Sequence, residues 1–190
     1  MKKCSKKALW IWISAAVLAV LFFSALLFFI RRAPLAQDEL IAQHIQQLSA
    51  AFKKIDADCG IVGFEDEGGS RKKCYIDFLN VKTFTGSEIG ALNVLYPDRW
   101  HGPYMDDNPT VQERFYYVMR SHNRYYVVPG DGIRLSNGKI IGKDLIVDEN
   151  SDIDQLINDP AGLRYKDKPL AVKLDLKIEA QRNPMPLANE

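Results

Sequence analysis

The stretch QDELIAQHIQQLSAAFKKI, residues 37–55, carries the clearest structural signal in the chain. Its large apolar residues are four, three, four and three positions apart, the spacing of one helix face, and they are Ile41, Ile45, Leu48, Phe52 and Ile55. Two acidic residues begin the stretch and two lysines end it, which complements the helix dipole. The pattern predicts an amphipathic helix within 31–56 whose stripe packs on its own domain; packing on a partner helix is the alternative.

Upstream, residues 8–30 form an apolar run of 23 residues without a charge. A helix of about 20 apolar residues crosses a hydrocarbon layer of about 30 Å. Four lysines within residues 1–7 and only two arginines after the run favour a cytoplasmic N-terminus. Pro34 spoils the small-residue pattern of a cleavage site. The sequence therefore predicts a basic leader at 1–7, an uncleaved transmembrane helix at 8–30 and an exported body.

The remainder of the chain is long enough for one domain with a real core, predicted at 57–180 and followed by a flexible tail at 181–190. All 24 acidic residues lie beyond Arg32, against 19 lysines and arginines there, which gives the body a net charge near −5. This balance argues against nucleic acid as a partner.

Two of the three cysteines, Cys59 and Cys74, fall in the predicted exported body, while Cys4 lies in the leader. Disulfides persist outside the cytoplasm, so a Cys59–Cys74 bridge around the Gly-Gly sequence between them is predicted. Two buried reduced thiols are the alternative. A zinc site is disfavoured because four ligands are lacking.

Short segments rich in Tyr, Phe, Val and Ile follow Cys74 and are broken by Gly, Pro and Asn. They predict an antiparallel meander, with strands at 74–81, 113–120, 124–130, 132–138 and 139–148. Ser136-Asn137-Gly138 predicts a tight hairpin, because Asn-Gly tolerates positive φ. The fold class is therefore α+β: a transmembrane helix and an amphipathic helix, then a small antiparallel sheet.

Common catalytic motifs are missing from the sequence, so the chain is predicted not to be an enzyme. Its three histidines, His44, His101 and His122, are far apart along the chain. An anchored envelope enzyme is the less favoured alternative, and it would need His101 or His122 to meet carboxylates in a cleft.

The acidic stretch DENSDID, residues 148–154, places oxygen ligands at alternate positions, as a calcium ion requires. The candidate ligands are Asp148, Asn150, Asp152 and Asp154. The favoured alternative is an acidic N-terminus that caps a short helix, where Ser151 with Asp154 resembles a capping box.

The stretch YPDRWHGPY, residues 96–104, combines turn-forming residues with large aromatic rings and predicts a packed corner. It also resembles the P-x-D-P-W-G-x-P-Y segment of type II secretion major pseudopilins and related type IV pilin-like proteins. The matching residues are Pro97, Asp98, Trp100, Gly102, Pro103 and Tyr104. The order of leader, apolar helix, amphipathic helix, aromatic corner and small sheet is similar as well.

This resemblance implies a pilin-like fold and a structural part in a type II secretion or type IV pilus-like apparatus at the bacterial inner membrane. It implies other pilin-like or secretion-apparatus proteins as partners, and calcium in a C-terminal loop. The chain has no glycine before Gly60 and no acidic residue before Asp38, so prepilin peptidase would not process it.

The alternative function is a membrane-tethered periplasmic binding module that holds a protein or glycan with exposed aromatic rings. Its candidate contact residues are Trp100, Tyr104, Tyr116, Tyr117, Tyr125 and Tyr126. Ordinary alternation between a buried and an exposed strand face would also place tyrosines at these positions.

Overall fold

A computed structural model describes residues 6–64, 73–84 and 91–177 of the chain. Within the first range, side chains are described for 16–24 and from 37 onward. Residues 1–5 of the predicted leader, the Gly-Gly turn between the cysteines and the predicted tail at 181–190 lie outside the described residues.

The described elements are two α-helices, ten short strands and one turn of 3-10 helix at Pro97–Arg99. In chain order they are α1 (Lys6–Cys59), β1 (Ile61–Phe64), β2 (Lys73–Tyr75), β3 (Leu92–Val94), β4 (Thr110–Val111), β5 (Arg114–Phe115), β6 (Tyr117–Ser121), β7 (Arg124–Val128), α2 (Ile153–Asn158), β8 (Arg164–Tyr165), β9 (Lys168–Pro169) and β10 (Val172–Leu174). The chain divides into two compact units, Met1–Ala36 and Gln37–Glu190.

In the first unit, the structure corrects the transmembrane helix predicted at 8–30. Within the described part of the chain, no helix combines the length and apolarity that crossing a membrane requires. The predicted fold class with a transmembrane helix and the single-pass inner-membrane localisation are therefore wrong.

In the second unit, the stripe of α1 forms the centre of the core. Its five predicted apolar residues are all buried. Phe52 makes edge-to-face ring contacts with Phe64 of β1, at 5.5 Å between centroids, and with Phe78, at 6.2 Å. Gly60 follows α1 with a positive φ of 66°, and its N–H donates to the carbonyl of Asp56, which ends the helix.

The strands form small antiparallel sheets, so the described body is an α+β structure. The largest sheet has four strands in the order β10-β7-β6-β2, and its central pair, β6 and β7, are joined by the turn at His122 and Asn123. The other named strands pair two by two: β1 with β3, β4 with β5 and β8 with β9. Most side chains of β6 and β7 are buried, which places the core on the central pair.

The predicted strands at 132–138 and 139–148 are corrected to loops held by single bridges, Arg134 with Ile140 and Ile141 with Leu145. Turn geometry explains the difference. Leu135 and Lys139 close a three-residue loop in which only Gly138 has positive φ, at 85°, and Gly142 adds a second reversal four residues later. Two reversals this close leave no length for a continuous ladder.

The predicted Cys59–Cys74 disulfide is also wrong, since both residues are buried thiols that form no disulfide. The hairpin expected between them does not form, because β1 pairs with β3 while β2 pairs with β6. Cys59 ends α1, and Cys74 lies in the four-stranded sheet. Burial raises the pKa of the Cys59 thiol.

Two buried carboxylates connect α1 to distant parts of the body. Asp38 accepts hydrogen bonds from the backbone N–H of Ser136, at 3.2 and 3.1 Å, and from its hydroxyl. Asp56 accepts from the N–H groups of Ile61, at 2.9 Å, and Lys177, at 3.1 Å. Such bonds satisfy carboxylates that would otherwise be costly to bury.

His44 on α1 gives the chain a pH-dependent stability. Its Nδ1 lies 3.1 Å from the hydroxyl of buried Tyr116, and burial lowers the pKa of His44 below its usual value of about 6.5. Below pH 6.5 the unfolded chain therefore binds more protons at this site than the folded chain, so stability falls as the pH drops through the folded pKa.

The test measures the free energy of unfolding by urea titration at pH 7.5 and at pH 5. We expect this free energy to fall less between the two pH values in His44→Gln than in the wild type. Equal decreases in the two proteins would contradict the prediction.

Candidate functional site

The YPDRWHGPY stretch folds into a packed corner centred on Trp100. Pro97–Arg99 form one turn of 3-10 helix, after which the Trp100 side chain turns inward and is only 8 % exposed. The indole Nε1–H donates to the carbonyl of Val81 at 3.1 Å. Its ring contacts Phe84 and Tyr104 edge to face, at 5.4 and 4.8 Å. The indole is therefore fixed by both apolar packing and a hydrogen bond.

Gly102 lies where the backbone passes closest to this indole. A Cβ at this position would be 2.1 Å from the Val81 carbonyl oxygen and 2.4 Å from Trp100 Nε1. The following peptide bond, Gly102–Pro103, is cis. Steric space, rather than unusual φ, is thus what requires a glycine here.

Tyr104 connects the corner to the end of α1. Its hydroxyl donates to Asp58 Oδ2 at 3.0 Å, accepts from the N–H of His101 at 3.3 Å and lies 3.9 Å from the Cys59 sulfur. Burial is the main cause of a strongly raised pKa at Tyr104. The Lys54 ammonium lies 5.4 Å from the ring centroid. Tyr104 is therefore a neutral link between corner and helix.

A groove of about 500 Å³ runs between α1 and the segment after the corner. Its lining residues are Gln47, Ala50, Ala51, Lys54, Tyr104, Met105, Asp106 and Asp107. Sequence reasoning identified only Tyr104 among them. The sequence pattern around the other lining residues does not predict a groove, because the groove forms only where two segments about fifty residues apart in the chain meet.

The remaining motif residues and the candidate aromatic residues divide between surface and core. Pro97, Asp98 and Pro103 are exposed. Four tyrosines considered for partner binding are buried instead: Tyr116, Tyr117, Tyr125 and Tyr126. Exposed rings occur elsewhere, at Tyr75, Tyr96 and Phe115. The four buried tyrosines therefore belong to the core and present no contact surface.

Three of the four candidate calcium ligands, Asp148, Asp152 and Asp154, accept hydrogen bonds within the protein. Asp152 caps α2 by accepting from the N–H of Gln155 at 2.9 Å, so the cap is Asp152 and not Ser151. Asp148 accepts from Ser151 Oγ at 2.7 Å and from the N–H of Asn150 at 3.0 Å, and these bonds are the main cause of its lowered pKa.

Asp154 contacts β7 instead: its carboxylate accepts hydrogen bonds from Arg124 at 3.2 Å and from the Tyr126 hydroxyl at 3.0 Å. Among the residues described, no three His, Cys, Asp or Glu side chains are grouped to hold a metal ion. Calcium binding stays a prediction, and this geometry gives it no support.

The three histidines remain apart in the fold. His44 contacts Tyr116, and the exposed His122 has its Nδ1 3.0 Å from Ser121 Oγ, which itself donates to the carbonyl of Ser151 at 2.7 Å. His101 is exposed beside Tyr104, and none of the three lines the groove along α1.

The N-terminal unit contributes a different surface, the apolar side chains of residues 16–24 on α1. All nine residues are exposed, and the six large apolar ones are exposed by 54 to 68 %. Nine residues make about two and a half helical turns, so the exposure extends around the whole helix. Shallow grooves of about 370 and 270 Å³ lie where Ala19 and Ala16 separate larger side chains.

Comparison with known proteins gives no further assignment: no family model matches the chain, and no curated protein or solved structure is significantly similar to it.

Proposed function

We propose that this chain is a pilin-like structural subunit or accessory of a type II secretion or type IV pilus-like apparatus, and that it acts by protein–protein contacts. The observation that carries the proposal is the apolar surface of residues 16–24, which is exposed on every side of α1. A helix that is apolar all round is normally covered by other groups.

The occupant we propose for this surface is the corresponding helix of another copy or of a similar subunit. The alternation of Ala16 and Ala19 with Val17, Val20 and Phe23 leaves grooves between larger side chains, into which side chains of a second helix fit. The resemblance of YPDRWHGPY to the pseudopilin segment supports the same class of function. In this proposal the corner stabilises the body, since its Trp100 is buried and hydrogen-bonded.

The test compares Val20→Asp with Leu40→Asp in the full chain, because both replace an exposed apolar residue on α1. We expect Val20→Asp to weaken self-association or subunit association at least about tenfold, since a carboxylate would be buried without a partner. Leu40→Asp should leave association unchanged. Light scattering after gel filtration gives the mass, and circular dichroism checks that both variants remain folded.

A photocrosslinking amino acid at position 20 then identifies what covers the surface in the producing cell. Crosslinks to a second copy or to a pilin-like subunit would support the proposal. Crosslinks to lipid alone, or an unchanged monomer for the wild type and both variants, would overturn it.

A further inference from the structure

The turn between Leu135 and Lys139 contains the sequence Asn137-Gly138, the only Asn-Gly pair in the chain. The Gly138 N–H donates to the Leu135 carbonyl at 3.0 Å, and the Asn137 side-chain oxygen accepts from the N–H of Lys139 at 3.0 Å. Gly138 is exposed, and no atom lies within 4 Å of the position a Cβ would take.

An Asn-Gly pair is chemically labile, because glycine has no side chain to shield its backbone nitrogen. The Gly138 nitrogen attacks the side-chain carbonyl carbon of Asn137. A new C–N bond forms, the side-chain nitrogen leaves as ammonia and a succinimide ring results. Water then opens the ring at either carbonyl and gives aspartate or isoaspartate, with no oxidant or other reactant needed.

The folded turn opposes this reaction in two ways. The attacking nitrogen already donates its hydrogen to Leu135, and the carbonyl under attack is held by the N–H of Lys139. A third, longer contact of 3.4 Å joins the Asn137 amide nitrogen to the carbonyl of Ala161. Both reacting groups must therefore leave their partners before the ring can close.

The turn is itself held on α1 by a buried contact. Ser136, which precedes Asn137, donates both its N–H and its hydroxyl to Asp38, whose side chain is buried. Opening the turn would leave this carboxylate buried without its donors, which is costly. The Asp38–Ser136 contact thus stabilises the unreactive geometry of the neighbouring pair.

We propose that Asn137-Gly138 is a site of spontaneous succinimide formation that the Asp38–Ser136 contact keeps closed, so that aspartate or isoaspartate at 137 marks chains whose turn has opened. The modification also hinders reclosure. Isoaspartate adds a methylene to the backbone of a three-residue loop, and either product places a new carboxylate one residue from the Ser136 that binds Asp38.

The experiment follows conversion at Asn137 by peptide mapping and mass spectrometry, in the folded chain and in urea at the same pH. Asn150, an exposed asparagine that precedes Ser151, is the internal reference in the same molecule. In urea we expect Asn137 to convert faster than Asn150. Asn137 should convert at least about tenfold more slowly in the folded chain than in urea, because the reaction in the folded chain requires local opening of the turn.

Asp38→Ala and Glu39→Ala are the matched variants, since they remove adjacent carboxylates and leave the sequence around Asn137 unchanged. We expect Asp38→Ala to raise the folded-state rate at Asn137 about tenfold. Glu39→Ala, which removes an ion pair with Lys168, should not raise it. If Asp38→Ala does not fold, Ser136→Ala is used instead, because it removes the hydroxyl contact with Asp38. Its folded-state rate at Asn137 is compared with the rate of the same variant in urea, since this substitution changes the residue next to Asn137. Equal rates in folded and unfolded wild type, or no acceleration in either the folded Asp38 variant or its Ser136 replacement, would overturn the proposal.

Discussion

Phe52→Ala is expected to lower the free energy of unfolding of the body by about 4 kcal/mol, the typical cost of removing a buried phenylalanine ring. Phe52 is fully buried on α1 and contacts the rings of Phe64 and Phe78. Truncation would leave a cavity where helix, β1 and the segment after β2 meet. Because domains of this size are stable by only about 5–15 kcal/mol, the loss is a large fraction of the total.

The measurement is urea unfolding of the full chain, followed by near-ultraviolet circular dichroism. Phe115→Ala is the control, because this phenylalanine in β5 is 41 % exposed. We expect Phe115→Ala to lower the free energy of unfolding by no more than about 1 kcal/mol, because folding buries less apolar surface at Phe115 than at Phe52. Comparable losses for the two variants would show that Phe52 is not at the centre of the core.

Gly102→Ala is expected to cost about 3 kcal/mol and to release Trp100 from the corner. The new methyl group would overlap the Val81 carbonyl oxygen and the Trp100 nitrogen, so the hydrogen bond between them has to break. Overpacking of this kind typically costs about 1–3 kcal/mol, and the lost hydrogen bond adds about 1 kcal/mol. Every other residue at position 102 has a Cβ in the same place, so no substitution there preserves the hydrogen bond.

Fluorescence of Trp100 is the direct measurement, in a background with Trp10→Phe and Trp12→Phe so that one indole remains. We expect a red shift for Gly102→Ala. Gly138→Ala is the control: its Cβ meets no atom, but its φ of 85° is strained for alanine, at a cost of about 1–2 kcal/mol. Gly138→Ala should lose stability without a red shift. If Gly102→Ala shows no red shift either, the role of Gly102 in the corner is contradicted.

Local sequence pattern was sufficient for α1 beyond Gln37 and for the short helix α2. The five positions of the apolar stripe, four or three residues apart, are all buried, because helical periodicity alone places them on one face. The acidic start of α2 was expected, although Asp152 and not Ser151 provides the cap. Of the predicted strands, β7 lies within its predicted range and β6 overlaps its range but extends one residue beyond it, to Ser121; both are rich in β-branched and aromatic residues.

Strand partners could not be read from local pattern. Cys59 and Cys74 are separated by a sequence that would suit a hairpin, yet β1 and β2 pair with β3 and β6. Pairing depends on contacts between segments distant in the chain, and these have no local signature. The groove along α1 was unpredictable for the same reason.

The sequence by itself determined which face of α1 is buried, that the chain turns at Ser136–Gly138 and that the corner at Tyr96–Tyr104 would be packed, because these depend on side-chain spacing and backbone preference over a few residues. Tertiary structure alone decided that the two cysteines remain thiols, that the candidate tyrosines enter the core and that Asp38 is buried against Ser136. The physical reason is range: burial and hydrogen-bond partners are set by segments up to 129 positions apart, which meet only in the folded chain.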